Sequence, residues 1–336
     1  MLPFAELAQI LTSHQTFVIT THVNSDGDSI GSALTMYRIL KALKKEVSII
    51  NVSEVPHYLK FLDNENAIEI YDSNVHDDRI GSCEVFIALD FNRVGRMAKM
   101  APSFALVKGL KICIDHHQDP EQVFDLYVCS TEQCATGHIL YNFIEATNIV
   151  PLTYELAEPL YAAIMTDTGS FRFERTTPEV HYIAAKFLEL GVNPTELYKK
   201  IYDQNPFGKM KLLGESLSNI ELFGENGQLA VLVVTQKQLA DTGTKEDDTD
   251  GFVNICMSIG SVQVALKFLE LKQGFKVSLR SKGNIPVHTL AGMYGGGGHK
   301  NASGIRFKEG TVAAHKNEII NYALEFMKGY YIESAL

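Results

Sequence analysis

The sequence predicts an α/β protein with an N-terminal, mostly parallel sheet flanked by helices over residues 1–187. A helical connector follows over 188–214, then a smaller C-terminal α/β domain over 215–336. Three observations carry this reading. The first half alternates short apolar runs with helix-period segments, the order of βαβ units. At 336 residues the chain exceeds one ordinary domain. Strand-rich sequence takes over after the break at Gly191-Val-Asn-Pro194.

The elements follow from pattern. Thr16–His22 reads as the first strand. Residues Ser29 to Lys45 read as a helix, with Ile30, Ala33, Leu34, Tyr37 and Leu40 at helical spacing. Glu46–Asn51, Glu84–Asp90 and Leu110–Asp115 are further strands, and helices dominate Thr136–Thr166 and Glu179–Leu190. Residues 194–216 read as helical with a break at Asn205-Pro206. Leu229–Thr235, Val262–Phe268 and Gly274–Arg280 are strands of the second domain. Thr242–Gly251 carries Glu246, Asp247, Asp248 and Asp250 without the spacing of a calcium loop, so a solvated loop is expected.

Composition narrows the function. Hydrophobic content of 46% is ample for packed cores. A net charge of −10 disfavours long nucleic acid, which needs an extended basic surface, but allows a short anionic substrate reaching one cleft. The N-terminus lacks the pattern of a signal peptide, and no apolar run approaches the roughly 18–20 residues of a membrane span. Five cysteines without a CxxC pair point to a reducing compartment, so a cytoplasmic protein with no membrane partner is expected. Cys83, Cys113 and Cys256 are expected in the core; Cys129 and Cys134 are the close pair in sequence, with no third ligand nearby.

The strand ends hold the chemistry. Lys111-Ile-Cys-Ile-Asp115-His116-His117 is an apolar strand that stops at a carboxylate and two imidazoles. The first strand ends in His22, with Asp26 and Asp28 on the loop that opens the next helix. Another strand stops at Asp90, and Asp167 follows the amphipathic segment Leu156–Met165. Singly, each residue has a plain reading as a cap or turn residue. Parallel strands, however, bring their carboxyl ends to one edge. Four carboxylates and two imidazoles gathered there would repel one another without cations. Such donors with no thiolate suit Mn²⁺, with Mg²⁺ or Fe²⁺ as alternatives. Paired cations ~3.5–4 Å apart support in-line displacement at phosphorus.

In this order the motifs resemble the DHH phosphoesterase superfamily, whose signature triplet is here Asp115-His116-His117. His22-x₃-Asp26-x-Asp28 opens the match, Asp90 comes second, and Thr166-Asp167-Thr-Gly-Ser-Phe-Arg-Phe173 follows the triplet. The resemblance implies that His22, Asp26 and Asp90 hold one metal, and Asp28, Asp90, His116 and Asp167 the other. It implies that His117 faces the scissile phosphate while Asp115 orients the imidazoles. Tyr294-Gly295-Gly296-Gly297-Gly298-His299-Lys300-Asn301-Ala302-Ser303-Gly304 resembles the glycine-rich signature of the DHH-associated domain. It implies substrate binding by Arg280, Ser281, Gly296, Gly297, Gly298, His299, Asn301 and Ser303, with Arg280 on a terminal phosphate. Arg96 or Arg172 is a further candidate for stabilising transition-state charge, and the connector is a candidate hinge.

At this length the arrangement is similar to the bifunctional oligoribonuclease (nanoRNase) and pAp-phosphatase branch. That implies an Mn²⁺-dependent phosphodiesterase acting on short RNA, linear dinucleotides and adenosine 3′,5′-bisphosphate, without long double-stranded nucleic acid as a partner, and as a homodimer. A cyclic dinucleotide (c-di-AMP) phosphodiesterase is the alternative enzyme. A catalytically silent nucleotide sensor is the non-enzymatic alternative, and it would show loss of a metal ligand; every ligand position is filled here.

Overall fold

A strand covered by helices on both faces cannot alternate apolar with polar residues. The computed structural model, which describes residues 2–333, bears this out in the first sheet. Its elements run α1 (Phe4–Ser13), β1 (Thr16–Thr21), α2 (Gly27–Ala42), β2 (Glu46–Asn51), β3 (Ile68–Ile70), α3 (Ser73–Ser82), β4 (Val85–Leu89), β5 (Leu110–Asp115) and β6 (Leu126–Cys129). Four helices follow: α4 (Thr136–Thr147), α5 (Tyr154–Asp167), α6 (Pro178–Glu189) and α7 (Pro194–Tyr202). β4 is buried along its whole length, and β1 and β5 are buried toward their carboxyl ends.

All pairings in this six-stranded sheet are parallel, in the order β3-β2-β1-β4-β5-β6. Successive residues serve opposite faces. Phe17 and Ile19 pack with α1, α2, α4 and α5, whereas Val18 packs with Ile80 of α3 and with Met97 and Phe104 of a 3₁₀ segment. From β1 the chain builds outward one way through β2 and β3, then the other way through β4, β5 and β6. The reversal opens a crevice at the carboxyl ends of β1 and β4, where open α/β sheets bind ligands.

The chain divides into two bodies between Gln204 and Asn205. The second contains α8 (Phe207–Leu217), β7 (Glu221–Phe223), β8 (Leu229–Val234), α9 (Gln236–Thr242), α10 (Phe252–Cys256), β9 (Val264–Glu270), β10 (Phe275–Ser281), α11 (Val287–Gly292), β11 (Gly297–His299), β12 (Ala302–Phe307) and α12 (Val312–Glu333). Its sheet runs β11-β12-β10-β9-β8-β7, antiparallel except for the β8–β9 pair. Leu266, Phe268 and Val277 form one core with Ile319 and Ala323 of α12, while Ala230 and Leu232 form another with Leu212 of α8. Residues 188–214 are shared out: α7 buries Leu197 and Ile201 in the first body, and α8 buries Leu212 in the second.

Two local features add to the sequence reading. The acidic stretch expected to be a solvated loop includes a 3₁₀ turn at Glu246–Thr249. Its last residue, Thr249, is fully buried and accepts hydrogen bonds at 2.8 Å from the Lys267 ammonium through both its carbonyl and its hydroxyl. The acids point the sequence reading to solvent, but one threonine anchors the turn. The cysteines are all free, and the neighbour of Cys129 is Cys113 on the adjacent strand, at 3.6 Å between sulfurs, not Cys134. Among the described residues no helix is long and apolar enough to cross a membrane.

Candidate active site

At the crevice, the residues following β1, β4 and β5 meet the start of α2 and the end of α5. His22 follows β1, and its Nδ1–H donates to the Val23 carbonyl at 2.9 Å, which turns Nε2 toward the site. Asp26 caps α2: its Oδ1 accepts from Ser29 N at 3.1 Å while the Ser29 hydroxyl accepts from Asp26 N at 2.8 Å. Its other oxygen stands 3.6 Å from His22 Nε2. Asp28 lies within the first turn of α2, almost fully buried, and its oxygens accept from Thr136 N at 2.7 Å, Gly137 N at 2.9 Å and Ser32 Oγ at 3.1 Å.

Asp90 follows β4 with a left-handed backbone, φ +65°. Its two oxygens face different partners: Oδ2 is 3.4 Å from His22 Nε2, and Oδ1 is 3.6 Å from His116 Nε2. His116 Nε2 also lies 3.3 Å from Asp167 Oδ2 and 3.8 Å from Asp28 Oδ2. Asp167 is the last residue of α5. The result is three groups, His22–Asp26–Asp90, Asp90–His116–His117 and Asp28–His116–Asp167, linked through Asp90 and His116, in each of which the ligand atoms lie within 4.8 Å of one another. Asp115, fully buried, receives the His117 Nδ1–H at 2.7 Å, and His117 itself is partly exposed.

The charges are far from their solution behaviour. Burial would hold His22 neutral, but hydrogen bonds to Asp26 and Asp90 outweigh it and raise its pKa to about 10. Burial first, and then the charge of Asp26, pushes Asp28 up to about 6 against the amides that hold it. Burial and the Asp28 charge push Asp90 and Asp167 well above the ordinary carboxylate range. Asp28 and Asp90 are buried while Asp26 and Asp167 reach solvent, so the crowding of like charges is sharpest at the two buried acids. Oxygen and imidazole donors without thiolate, converging in this way, fit a pair of hard or borderline divalent cations.

Sequence reasoning missed Thr136, Gly137 and Ser32, which hold Asp28. Nothing local marks Thr136 and Gly137 as its partners, because they bond to a side chain 108 and 109 residues away. Arg96 contributes its carbonyl, which receives Val23 N at 2.8 Å. Arg172 is exposed, with its guanidinium 5.5 Å from the centre of the Phe173 ring. A different arginine, Arg175, draws the Asp167 pKa down, against the burial that raises it.

In the second body the glycine-rich signature is a hairpin, β11–β12, rather than a loop. A Cβ on Gly296 would meet Gly304 O at 2.3 Å, and one on Gly298 would meet Ala302 O at 2.5 Å, whereas Gly297 faces open space. Part of the glycine run is therefore demanded by packing. Asn301 spends its amide on Ser281 Oγ at 2.9 Å and Gly283 O at 2.9 Å, and Ser281 donates to Ile285 O at 2.6 Å, so this pair ties the hairpin to the end of β10. Ser303 is buried and His299 exposed. Half-buried Arg280 is held by Asn254 Oδ1 at 3.0 Å from Nε and by Leu279 O at 2.9 Å from Nη1.

The DHH family N-terminal domain matches residues 16–164, and the DHHA1 domain matches residues 226–329. The chain is 35% identical over 291 residues to the bifunctional oligoribonuclease and PAP phosphatase NrnA of Thermus thermophilus, covering 86% of this chain and 83% of that relative. The chain belongs to the DHH family. As a DHH-family phosphoesterase it is a hydrolase of phosphoester bonds. A Bacillus subtilis protein of the same name is 27% identical over 89% of this chain and 91% of its own length. The crystal structure of an exopolyphosphatase-related protein from Bacteroides fragilis shares the fold with a TM-score of 0.91 at 31% identity, covering 97% of this chain and 96% of that one. That of exonuclease RecJ bound to manganese shares it at a TM-score of 0.53 and 15% identity, covering 96% and 95%. Of the crevice residues, Asp167 alone lies beyond the DHH-family match, while the DHHA1 match includes Asn254, Arg280 and the glycine hairpin.

Proposed function

We propose that this DHH-family chain hydrolyses short oligoribonucleotides and linear dinucleotides to mononucleotides, and adenosine 3′,5′-bisphosphate to AMP. The observation that carries the reading is Asp90, whose two oxygens face different imidazoles, His22 on one side and His116 on the other. His22, Asp26 and Asp90 would hold one divalent cation, and Asp28, Asp90, His116 and Asp167 the other, with Mn²⁺ the first choice. When bound, such a pair polarises the phosphate and lowers the pKa of water, as in other two-metal phosphoesterases.

The chain's own residues do the rest. Asp115 takes the Nδ1–H of His117, which fixes the tautomer and leaves the ring to donate or accept through Nε2 at the phosphate. Arg280, held from two sides, offers its remaining N–H groups to a terminal phosphate, a charge-assisted contact that selects ends over internal positions. The net charge of −10 supports short substrates, since a long polyanion is repelled by most of the surface.

Product analysis with Mn²⁺ across pApA, a ladder of longer RNAs, adenosine 3′,5′-bisphosphate and cyclic di-AMP tests the proposal. Turnover is expected to be greatest on the shortest linear substrates and to fall as length grows. Efficient cleavage of cyclic di-AMP with none of pApA would sink it.

A further inference from the structure

We infer that Thr136 is a positioning residue that keeps Asp90 in a bridging orientation between the two cations; the inference rests on the two-metal reading above. Thr136 is fully buried at the start of α4, and it touches two carboxylates at once. Its backbone N–H donates to Asp28 Oδ2 at 2.7 Å, and its hydroxyl donates to Asp90 Oδ1 at 3.0 Å. Gly137 N–H completes the grip on Asp28 at 2.9 Å.

The geometry gives the hydroxyl a specific task. A carboxylate between two cations can give one oxygen to each, share a single oxygen between them, or turn both oxygens to one. Asp90 Oδ1 is the oxygen beside His116 Nε2, at 3.6 Å, while Oδ2 is beside His22 Nε2, at 3.4 Å. A donor fixed on Oδ1 resists rotation of the carboxylate about its Cβ–Cγ bond, which would bring both oxygens to one side. The neutral hydroxyl also stabilises a buried anion without competing as a cation for the site.

The backbone that carries Thr136 is itself tightly placed. A Cβ added to Gly137 would meet the Ala163 Cβ at 2.6 Å, so α4 approaches α5 as closely as a glycine permits. The amides of Thr136 and Gly137 reach Asp28, and the Thr136 hydroxyl reaches Asp90. The helix terminus is occupied by the protein's own carboxylate.

Thr136→Val removes the hydroxyl and keeps both the shape and the backbone donor; Thr136→Ser restores the hydroxyl, and Thr136→Ala is a second variant without it. Mn²⁺ binding is measured by calorimetry and by electron paramagnetic resonance, with circular dichroism to verify folding. The wild type is expected to bind two Mn²⁺ and give the spectrum of an exchange-coupled pair. In Thr136→Val the second Mn²⁺ is expected to bind about 10–100-fold more weakly, the effect typical of losing a hydrogen bond to a ligand. The spectrum then becomes that of isolated Mn²⁺, and Thr136→Ser recovers the coupled one. If Val fails to fold, Ala carries the same expectation. Wild-type affinity and coupling in a folded variant without the hydroxyl overturn the inference while leaving the two-metal reading intact. Failure of the wild type to bind a second Mn²⁺ overturns that reading itself.

Discussion

The two bodies assemble functional groups in opposite ways. In the first, the residues at the crevice are drawn from positions 22 to 167 and meet only because parallel strands and the helices between them end at one edge. In the second, Arg280 and Ser281 close β10, Asn301 sits in the turn just before its antiparallel neighbour β12, and the three lie within 22 residues of sequence. A parallel sheet converges distant segments and can bury their charges, whereas a hairpin presents a contiguous segment at the surface. The first arrangement suits the reacting phosphate; the second suits recognition of an end. Damage to the first body should therefore fall on kcat, and damage to the second on KM.

Asp90→Asn is the hardest test of the first half of that contrast. It removes a charge facing both imidazoles, and kcat is expected to fall on the order of 10³-fold, the loss seen for a central electrostatic contact. Steady-state kinetics on pApA reads this, and near wild-type turnover would dissolve the assigned centre. Asp115→Asn should cost less, about 10–100-fold in kcat, because the amide still fills the space but can favour the wrong His117 tautomer. A change confined to KM would contradict the orienting role.

Arg280→Ala is expected to raise KM for a phosphate-ended dinucleotide roughly 10-fold, the value of a charge-assisted hydrogen bond, with a smaller change in kcat. Asn254→Ala should reproduce part of that rise by loosening the guanidinium. If either lowers kcat as Asp90→Asn does, the contrast between the bodies fails.

A separate effect concerns stability rather than turnover. Burial lowers Lys267 to about 8 from 10.5. Below pH ~8 both folded and unfolded states carry the proton, and the buried charge is a constant cost. Between about 8 and 10.5 the unfolded state binds more protons, so stability rises with pH. Relative to Lys267→Met, the wild type should gain on the order of 3 kcal/mol over that interval. Urea unfolding at pH 8 and pH 10.5 measures the difference, and a parallel pH dependence for the two proteins would refute it.

Legibility followed the same contrast. The four-stranded centre of the first sheet was readable from its apolar runs, three of which stop at Asp or His. The short strands β3 and β6 were not, since three or four residues at a sheet's edge carry little pattern. Asp26 and Asp28 each had a plain reading as a cap or turn residue, which sequence alone did not apportion; the structure makes Asp26 the cap of α2. The glycine signature was readable as a string, but its hairpin was hidden because glycine carries no strand alternation. Thr136 was invisible for a different reason: its partners, Asp28 of α2 and Asp90 after β4, are brought to α4 by tertiary packing that leaves no local sequence trace.

The left-handed backbone at Asp90 bears on how such a protein drifts. Among residues with a Cβ, aspartate and asparagine are those most at ease with positive φ, and glycine accepts it freely. An aspartate codon becomes an asparagine or a glycine codon by a single base change. The easiest genetic exits from this position thus preserve the turn while abolishing the shared carboxylate. A lineage that lost this carboxylate would keep the turn and the fold around it, available for binding without turnover.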